Sequence, residues 1–390
     1  MHFLRIIKKN YQNIILFILL VSPLLNPLIN FYFKSIDLVK IALLFSFIDI
    51  VINVKRFINK KIYIFIVLIL LLYFIIILSL LYSPSKFYKF EKLFFSFGNI
   101  VYFFYFLKIK NLNINFIYKL YIYIILPFII LSLFIQSSFP ISSYFLNLKN
   151  NYNFNYLIYG VHLGILSIIS IYLNKSNMIK LLVLIVLFIS GARGPFFIIF
   201  LFYAFIFFRN FSLSNKLLLQ LLSSFILIFI LLYKYFDFFL ILSHRVIIRL
   251  TSLSSGSDFS TLQRLKYFKF AFLKPFDNLH TFFFGYGFGS FNYILLKIDA
   301  RGYPHNIFLE LFFEIGLIGL LSFICILFYL FKHFLNKSVF TFLFLFIFFN
   351  TLKSGNFSDM WLFFGFIGGM INYQICNISE NNNNEYITSL

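Results

Sequence analysis

The stretch FIVLILLLYFIIILSLL, Phe65–Leu81, has no charged side chain and no alternation of apolar with polar residues. Coiled into a helix, an apolar run of about 20 residues matches the ~30 Å hydrocarbon core of a bilayer. Comparable runs recur at roughly 12–30, 36–54, 62–82, 93–109, 116–136, 155–173, 178–191, 193–209, 216–236, 306–331, 338–353 and 357–376. In hydrocarbon the backbone must satisfy its own hydrogen bonds, so only helices and closed β-barrels cross. Barrel strands alternate lipid-facing and lumen-facing residues, and these runs do not. The expectation is an all-α polytopic membrane protein of about 12 transmembrane helices, with one large outer (periplasmic) loop containing short helices. A charged fraction of 12% beside 62% hydrophobic residues excludes a soluble globular protein, in which about 25% of residues are charged.

Charge then sets the orientation. The net charge of +21 comes mostly from lysines. In a membrane protein such charge fixes topology and meets anionic lipid head groups, and it does not indicate nucleic acid. The richness in Phe, Ile, Asn, Lys and Tyr also reads as AT-rich codon bias, so aromatic abundance alone carries no argument. With the N-terminus cytoplasmic, sixteen basic residues fall on cytoplasmic connections and eight on short outer ones, in line with the positive-inside rule. The outer cluster Lys86–Lys92 runs against that trend. Arg5, Lys8 and Lys9 precede an apolar run that continues through Pro23, Asn26 and Pro27 with no small-residue cleavage pattern, which reads as an uncleaved first span. Cys325 and Cys376 lie in or beside spans and form no disulfide framework.

The resulting organisation is nine spans over 1–236, a large outer loop over 237–305, three spans over 306–376 and a polar cytoplasmic tail over 377–390. Arg193, the segment 237–305 and the connection Lys353–Asp359 all fall on the outer side and could line one cavity. The loop is too short and too apolar for an independent domain, so it is expected to pack down on the membrane face. Within it, Ser260-Thr-Leu-Gln263 has the form of a capping box. The helix that follows would lie in the interface with Leu262, Leu265, Phe268 and Phe272 down, and Pro275 would end it.

A few polar residues could carry chemistry. Arg193 stands between two spans in Ser190-Gly-Ala-Arg-Gly194. It either faces protein, water or an anion, or snorkels to anchor a helix end. Arg264 and the pair Arg245/Arg249 are the other outer arginines. Their planar forks suit phosphate oxygens, a diphosphate head group above all, although plain attraction to anionic lipid is the alternative. His305 follows Tyr303-Pro304 at the start of a span, where a neutral imidazole could act as a base or meet an anionic leaving group. Asn306, Glu310 and Glu314 recur at every fourth residue and so form one polar stripe. Gly316 and Gly319, and the pair Gly365/Gly369, are expected to permit close helix packing. No ATP-binding loop, Asp-x-Asp pair or HExxH motif is present in the sequence, so neither metal nor cofactor is expected.

These motifs keep one order. Ser190-Gly-Ala-Arg193-Gly194 comes first, then Arg264 followed by an aromatic and Ala271. Gly285-Tyr-Gly287-Phe-Gly289 follows, and after it Pro304-His305-Asn306-Ile-Phe-Leu-Glu310. Glu314-Ile-Gly316 and Gly319 close the series. Across roughly 185–330 it resembles the O-antigen ligase/polymerase family of bacterial surface-polysaccharide enzymes, which often has Trp where Tyr267 or Phe268 stands here. The resemblance implies an inverting, metal-independent glycosyl transfer on the periplasmic face of the inner membrane. Glycan would pass from a polyprenyl-diphosphate carrier to an acceptor sugar. Arg193 and Arg264 would bind the diphosphate and stabilise it as leaving group, with Arg249 a further candidate. His305 would be the base or orient the acceptor hydroxyl, with Glu310 a second candidate for that proton transfer. Asn306, Glu314, Gly285, Gly287 and Gly289 would shape the site.

Two activities share this pattern: a polymerase joining carrier-linked repeats, and a ligase moving the finished chain to lipid A-core. The wording Tyr-Pro-His-Asn-Ile-Phe-Leu-Glu resembles the polymerase branch more. Partners implied are the polyprenyl-diphosphate-linked oligosaccharide, the acceptor glycan or lipid A-core, membrane lipids, and a chain-length regulator or other assembly proteins. A polysaccharide flippase or transporter is the rival from another class. Against it, Asn53–Lys61 lacks the Gly and Asp of the major-facilitator motif, and one large loop breaks the symmetry of repeat-built carriers.

Overall fold

The computed structural model describes residues 2–32, 37–52, 60–109, 112–136, 156–209 and 259–388. Among them no strand occurs, and the long elements are helices: α1 (His2–Tyr32), α2 (Leu38–Ile52), α3 (Lys60–Ser79), α4 (Tyr88–Lys108), α5 (Ile114–Leu120), α6 (Leu126–Gln136), α7 (Tyr156–Tyr172), α8 (Asn177–Ile189), α9 (Arg193–Arg209), α10 (Phe259–Leu273), α11 (Leu279–Phe284), α12 (Phe291–Leu296), α13 (Ile307–Phe334), α14 (Val339–Ser354) and α15 (Trp361–Thr388). Three stretches, Lys61–Ser79, Ile114–Leu133 and Ile307–Phe334, are long and apolar enough to cross a membrane. Tyr156–Tyr172, Asn177–Ile189, Arg193–Ala204 and Val339–Ser354 are shorter apolar helices. The run expected at 216–236 and the arginines Arg245 and Arg249 lie outside the described residues. Helix α15 continues to Thr388, through the segment expected to be a polar tail.

The chain divides into two compact units, one of residues 1–20, 40–112 and 259–390 and one of 21–39 and 113–258. In the first, α4 and α15 pack at close range. A Cβ on Gly368 would lie 2.2 Å from the Phe103 carbonyl oxygen, and one on Gly365 would lie 2.9 Å from the Phe106 ring. Gly369 faces Phe340 of α14 instead, so the expected GxxxG pair serves two different neighbours. Trp361 Nε1 donates to the Phe95 carbonyl at 2.8 Å. Helix α3 lies along α13, where Phe65 meets Tyr329 and Phe334.

In that unit the segment 259–305 packs on α13. Ala271, Phe291 and Phe313 form a buried cluster joined by Tyr267, Phe270, Tyr286, Ile294, Leu295 and Leu309. The other side of α10 leaves Leu262, Leu265 and Phe272 exposed, and Phe268 is half-buried. Ser260 lies inside the first turn of α10 rather than before it, and Gln263 donates to Tyr267 Oη at 2.8 Å. Pro275 opens a 3-10 turn, Lys274–Asp277, that closes the helix.

The second unit includes α5 to α9. Helix α5 passes into a π-helical turn, Tyr121–Ile125, before α6. There Tyr121 Oη lies 3.1 Å from Nδ1 of the buried His162. Helices α8 and α9 are separated by a tight turn in which Gly191 has φ +71°.

Candidate functional site

The glycine turn 285–289 is shaped by a break in α13. At Gly316 the backbone takes φ 67°, ψ −167°, which interrupts the helix. The carbonyls of Phe313 and Glu314 accept instead from Tyr286 N–H at 2.9 Å and Gly287 N–H at 2.8 Å. The approach leaves no room for a side chain: a Cβ on Gly285 would lie 2.5 Å from the Glu314 carbonyl carbon, and one on Gly316 would lie 2.3 Å from that of Phe283. Gly316 therefore serves as a helix break and a docking point for the turn, beyond the helix packing expected of it.

The polar stripe is present and divides its labour. Asn306 caps α13, accepting from Phe308 N–H and Leu309 N–H, while its Nδ2 donates to the Leu352 carbonyl. Glu310 and Glu314 are fully buried, and both pair with Lys92. Lys92 Nζ lies 2.5 Å from Glu310 Oε1 and 2.6 Å from Glu314 Oε2, and it sits 4.7 Å from the centre of the Phe288 ring. The glutamates also take backbone donors. Phe357 N–H reaches Glu310 Oε2 at 3.0 Å, and Gly289 N–H reaches Glu314 Oε2 at 2.9 Å. One lysine thus ties α4, α13, the glycine turn and the 357–359 turn together.

This gives partners to two of the three lysines in the cluster that opposed the charge rule. Lys92 neutralises buried acid, and Lys89 Nζ caps α3 through the carbonyls of Leu80 and Ser83. At the start of α4 Phe87 provides no capping side chain, and Ser85 Oγ accepts from Lys89 N–H at 3.0 Å. Asp299 adds a cap from afar, accepting from Ser85 Oγ at 2.6 Å and from the N–H groups of Lys86 and Phe87 at 2.8 Å each. Burial works against that charge, but these donors hold the Asp299 carboxyl below the usual range. Lys92, Asp299 and the Arg301–Asp359 ion pair escaped the sequence reading because their partners lie far away in the chain. The one signal was a pair of anomalies, cations on the outer side and acids within a span, each in need of the other.

His305 occupies the loop end before α13 with φ +61°, in the left-handed region. That conformation is uncommon for a residue with a side chain, and such strain clusters at functional positions. Its ring lies parallel to that of Tyr267, with centroids 6.3 Å apart and planes 3° apart. Tyr303 meets the ring from 4.5 Å at 59°. Nδ1 is buried with no hydrogen-bond partner among the described residues. Burial, aided by the charge of Arg264, pushes the imidazole down to about 4.

The structure therefore brings His305, Arg264, Asn306, Glu310, Glu314 and the three glycines into the first unit. Two of the three regions expected to line an outer cavity meet there, since Arg301 pairs with Asp359. Arg193 belongs to the second unit, where it is the first residue of α9. Its turn packs tightly, because a Cβ on Gly160 of α7 would lie 2.2 Å from that of Ala192. Among the described residues no group of His, Cys, Asp and Glu could hold a metal.

No curated protein and no solved structure matches the chain. Residues 178–324 match the family model described as O-antigen ligase. That segment contains Arg193, Arg264, the glycine turn, His305 and both glutamates, and its match supports the resemblance to the O-antigen ligase/polymerase family.

Proposed function

We propose that the protein is a membrane glycosyltransferase that moves glycan from a polyprenyl-diphosphate carrier to an acceptor sugar at the outer face of the bacterial inner membrane, acting as a surface-polysaccharide polymerase. The observation that carries the reading is His305, a strained, neutral imidazole beside Arg264 with a buried nitrogen that has no partner among the described residues. The acceptor hydroxyl gives its proton to His305 as its oxygen attacks the anomeric carbon opposite the carrier. The bond from that carbon to the diphosphate oxygen breaks, and polyprenyl diphosphate departs with its electron pair. Arg264 neutralises that leaving group. Glu310 has both oxygens held by Lys92 and Phe357 N–H, so we assign it to the frame rather than to proton transfer. The matched description, O-antigen ligase, favours the second reading, transfer of the finished chain to lipid A-core. The wording Tyr303-Pro-His-Asn-Ile-Phe-Leu-Glu310 favours the first.

One gel of lipopolysaccharide from cells lacking the protein separates the two. A single repeat on the core is the polymerase result. Bare core with carrier-linked chains makes it a ligase, and an unchanged ladder rejects both.

The pH dependence is also set. His305 titrates at about 4, so it remains a competent base down to that pH. The acid limb of kcat/KM, which reports the free enzyme, is expected near 4. An acid limb near the ordinary imidazole value of 6.5 would remove His305 as the base.

A further inference from the structure

A histidine that moves protons is ordinarily oriented by a hydrogen bond from its second ring nitrogen to a carboxylate or carbonyl. Among the described residues His305 has no such bond, and Nδ1 is buried without a partner there. Within them, other contacts must hold the ring plane. The flat contacts that could do so are Tyr267, parallel within 3°, and Tyr303, at 4.5 Å. Tyr267 is itself fixed on two sides. Its ring packs edge-on against the buried Phe291 at 5.7 Å, and its hydroxyl accepts from Gln263 Nε2 at 2.8 Å. It stands one helical turn after Arg264, so one stretch of α10 brings both a charge and a ring to the histidine.

We propose that Tyr267 is a positioning residue for His305, holding the imidazole plane by stacking where a hydrogen bond would usually serve. The proposal rests on His305 being the base. The offset parallel contact restrains rotation of the ring about its side-chain axis while leaving the nitrogens free for the acceptor hydroxyl. It also adds to the burial that keeps the ring neutral. The contact needs a flat ring and makes no use of the phenol proton, so Phe and Trp satisfy it.

The test uses the full-length protein in nanodiscs and, as donor, the carrier-linked glycan that accumulates in membranes of cells lacking the protein. Tyr267→Ala is expected to lower kcat by about 10- to 100-fold, the scale of a misplaced reacting group. KM for the carrier glycan should change less than about threefold, because the diphosphate contacts remain. The acid limb should move up from about 4 toward 6.5 as water reaches the ring. Tyr267→Phe and Tyr267→Trp should stay within about threefold of wild type. Tyr267→Leu keeps apolar bulk against Phe291 but offers no flat face, so it must reproduce the kcat loss even if the alanine variant fails to fold. Wild-type kcat and an unmoved acid limb in Tyr267→Leu overturn the proposal. If His305→Ala itself retains activity, the base assignment fails first, whatever the Tyr267 variants do.

Discussion

Lys92→Met is expected to be among the most damaging single substitutions in the protein. The lysine ammonium lies within 2.6 Å of both buried glutamates, and all three side chains are at most 1% exposed. Removing the cation leaves two carboxylates side by side in a water-poor interior. Breaking a buried ion pair by deleting one partner costs about 3–5 kcal/mol. The melting midpoint in detergent should therefore fall sharply, and folded protein in membranes should drop with it. The origin of the loss is checkable. In the triple variant Lys92→Met, Glu310→Gln, Glu314→Gln no charge remains, and amides can still accept from Phe357 N–H and Gly289 N–H. Most of the stability should return, since a buried ion pair as a whole is close to neutral against uncharged replacements. A Lys92→Met protein that melts with wild type would mean that the lysine is not what holds these acids.

Such a lysine illustrates where sequence reading stops. Helix positions were legible because bilayer thickness dictates run length and the backbone has few ways to satisfy itself in hydrocarbon. The runs expected at 62–82 and 306–331 correspond to Lys60–Ser79 and Ile307–Phe334. The short pair divided at Ser190–Gly194 was legible too, because glycine beside a lone arginine marks a turn. The stripe of Asn306, Glu310 and Glu314 followed from helix period alone. What the stripe faces did not follow, because helix neighbours depend on packing and leave no local trace. Lys92 meets Glu310 across 218 positions, and Asp299 reaches Ser85 across 214. The break at Gly316 was equally hidden. Glycine in a span reads as a close-packing residue, and only the Tyr286 and Gly287 N–H groups docked on Phe313 and Glu314 reveal the other use.

The frame thus differs in kind from the base we propose that it carries. Asp299 on α4, the Arg301–Asp359 pair and the Asn306 cap fix the loop end from three directions. Each contact is satisfied and would cost stability to remove. His305, between these contacts in the chain, has a nitrogen with no partner among the described residues and a strained backbone. A residue retained at a cost to the fold points to chemistry rather than architecture.

That contrast makes stability and activity move apart at this one position. His305→Gly should leave the melting midpoint nearly unchanged, because glycine adopts φ +61° without strain. Relief of about 1 kcal/mol of backbone strain offsets the loss of the contacts with Tyr267 and Tyr303. Transfer, however, should fall by about 100- to 10,000-fold, the usual worth of a positioned general base. His305→Ala should lose activity equally but melt lower than His305→Gly, since alanine keeps the strain and loses the ring. Arg264→Ala should keep the fold and lose about 100- to 1,000-fold by exposing the leaving group's charge. It should also move the acid limb of its residual activity above 4, because the Arg264 charge helps hold His305 there. Glu310→Gln, by comparison, should keep transfer in whatever fraction remains folded. The decisive pattern is an inactive His305→Gly protein as stable as wild type. An active one would return His305 to the frame and leave the transfer reaction without its base.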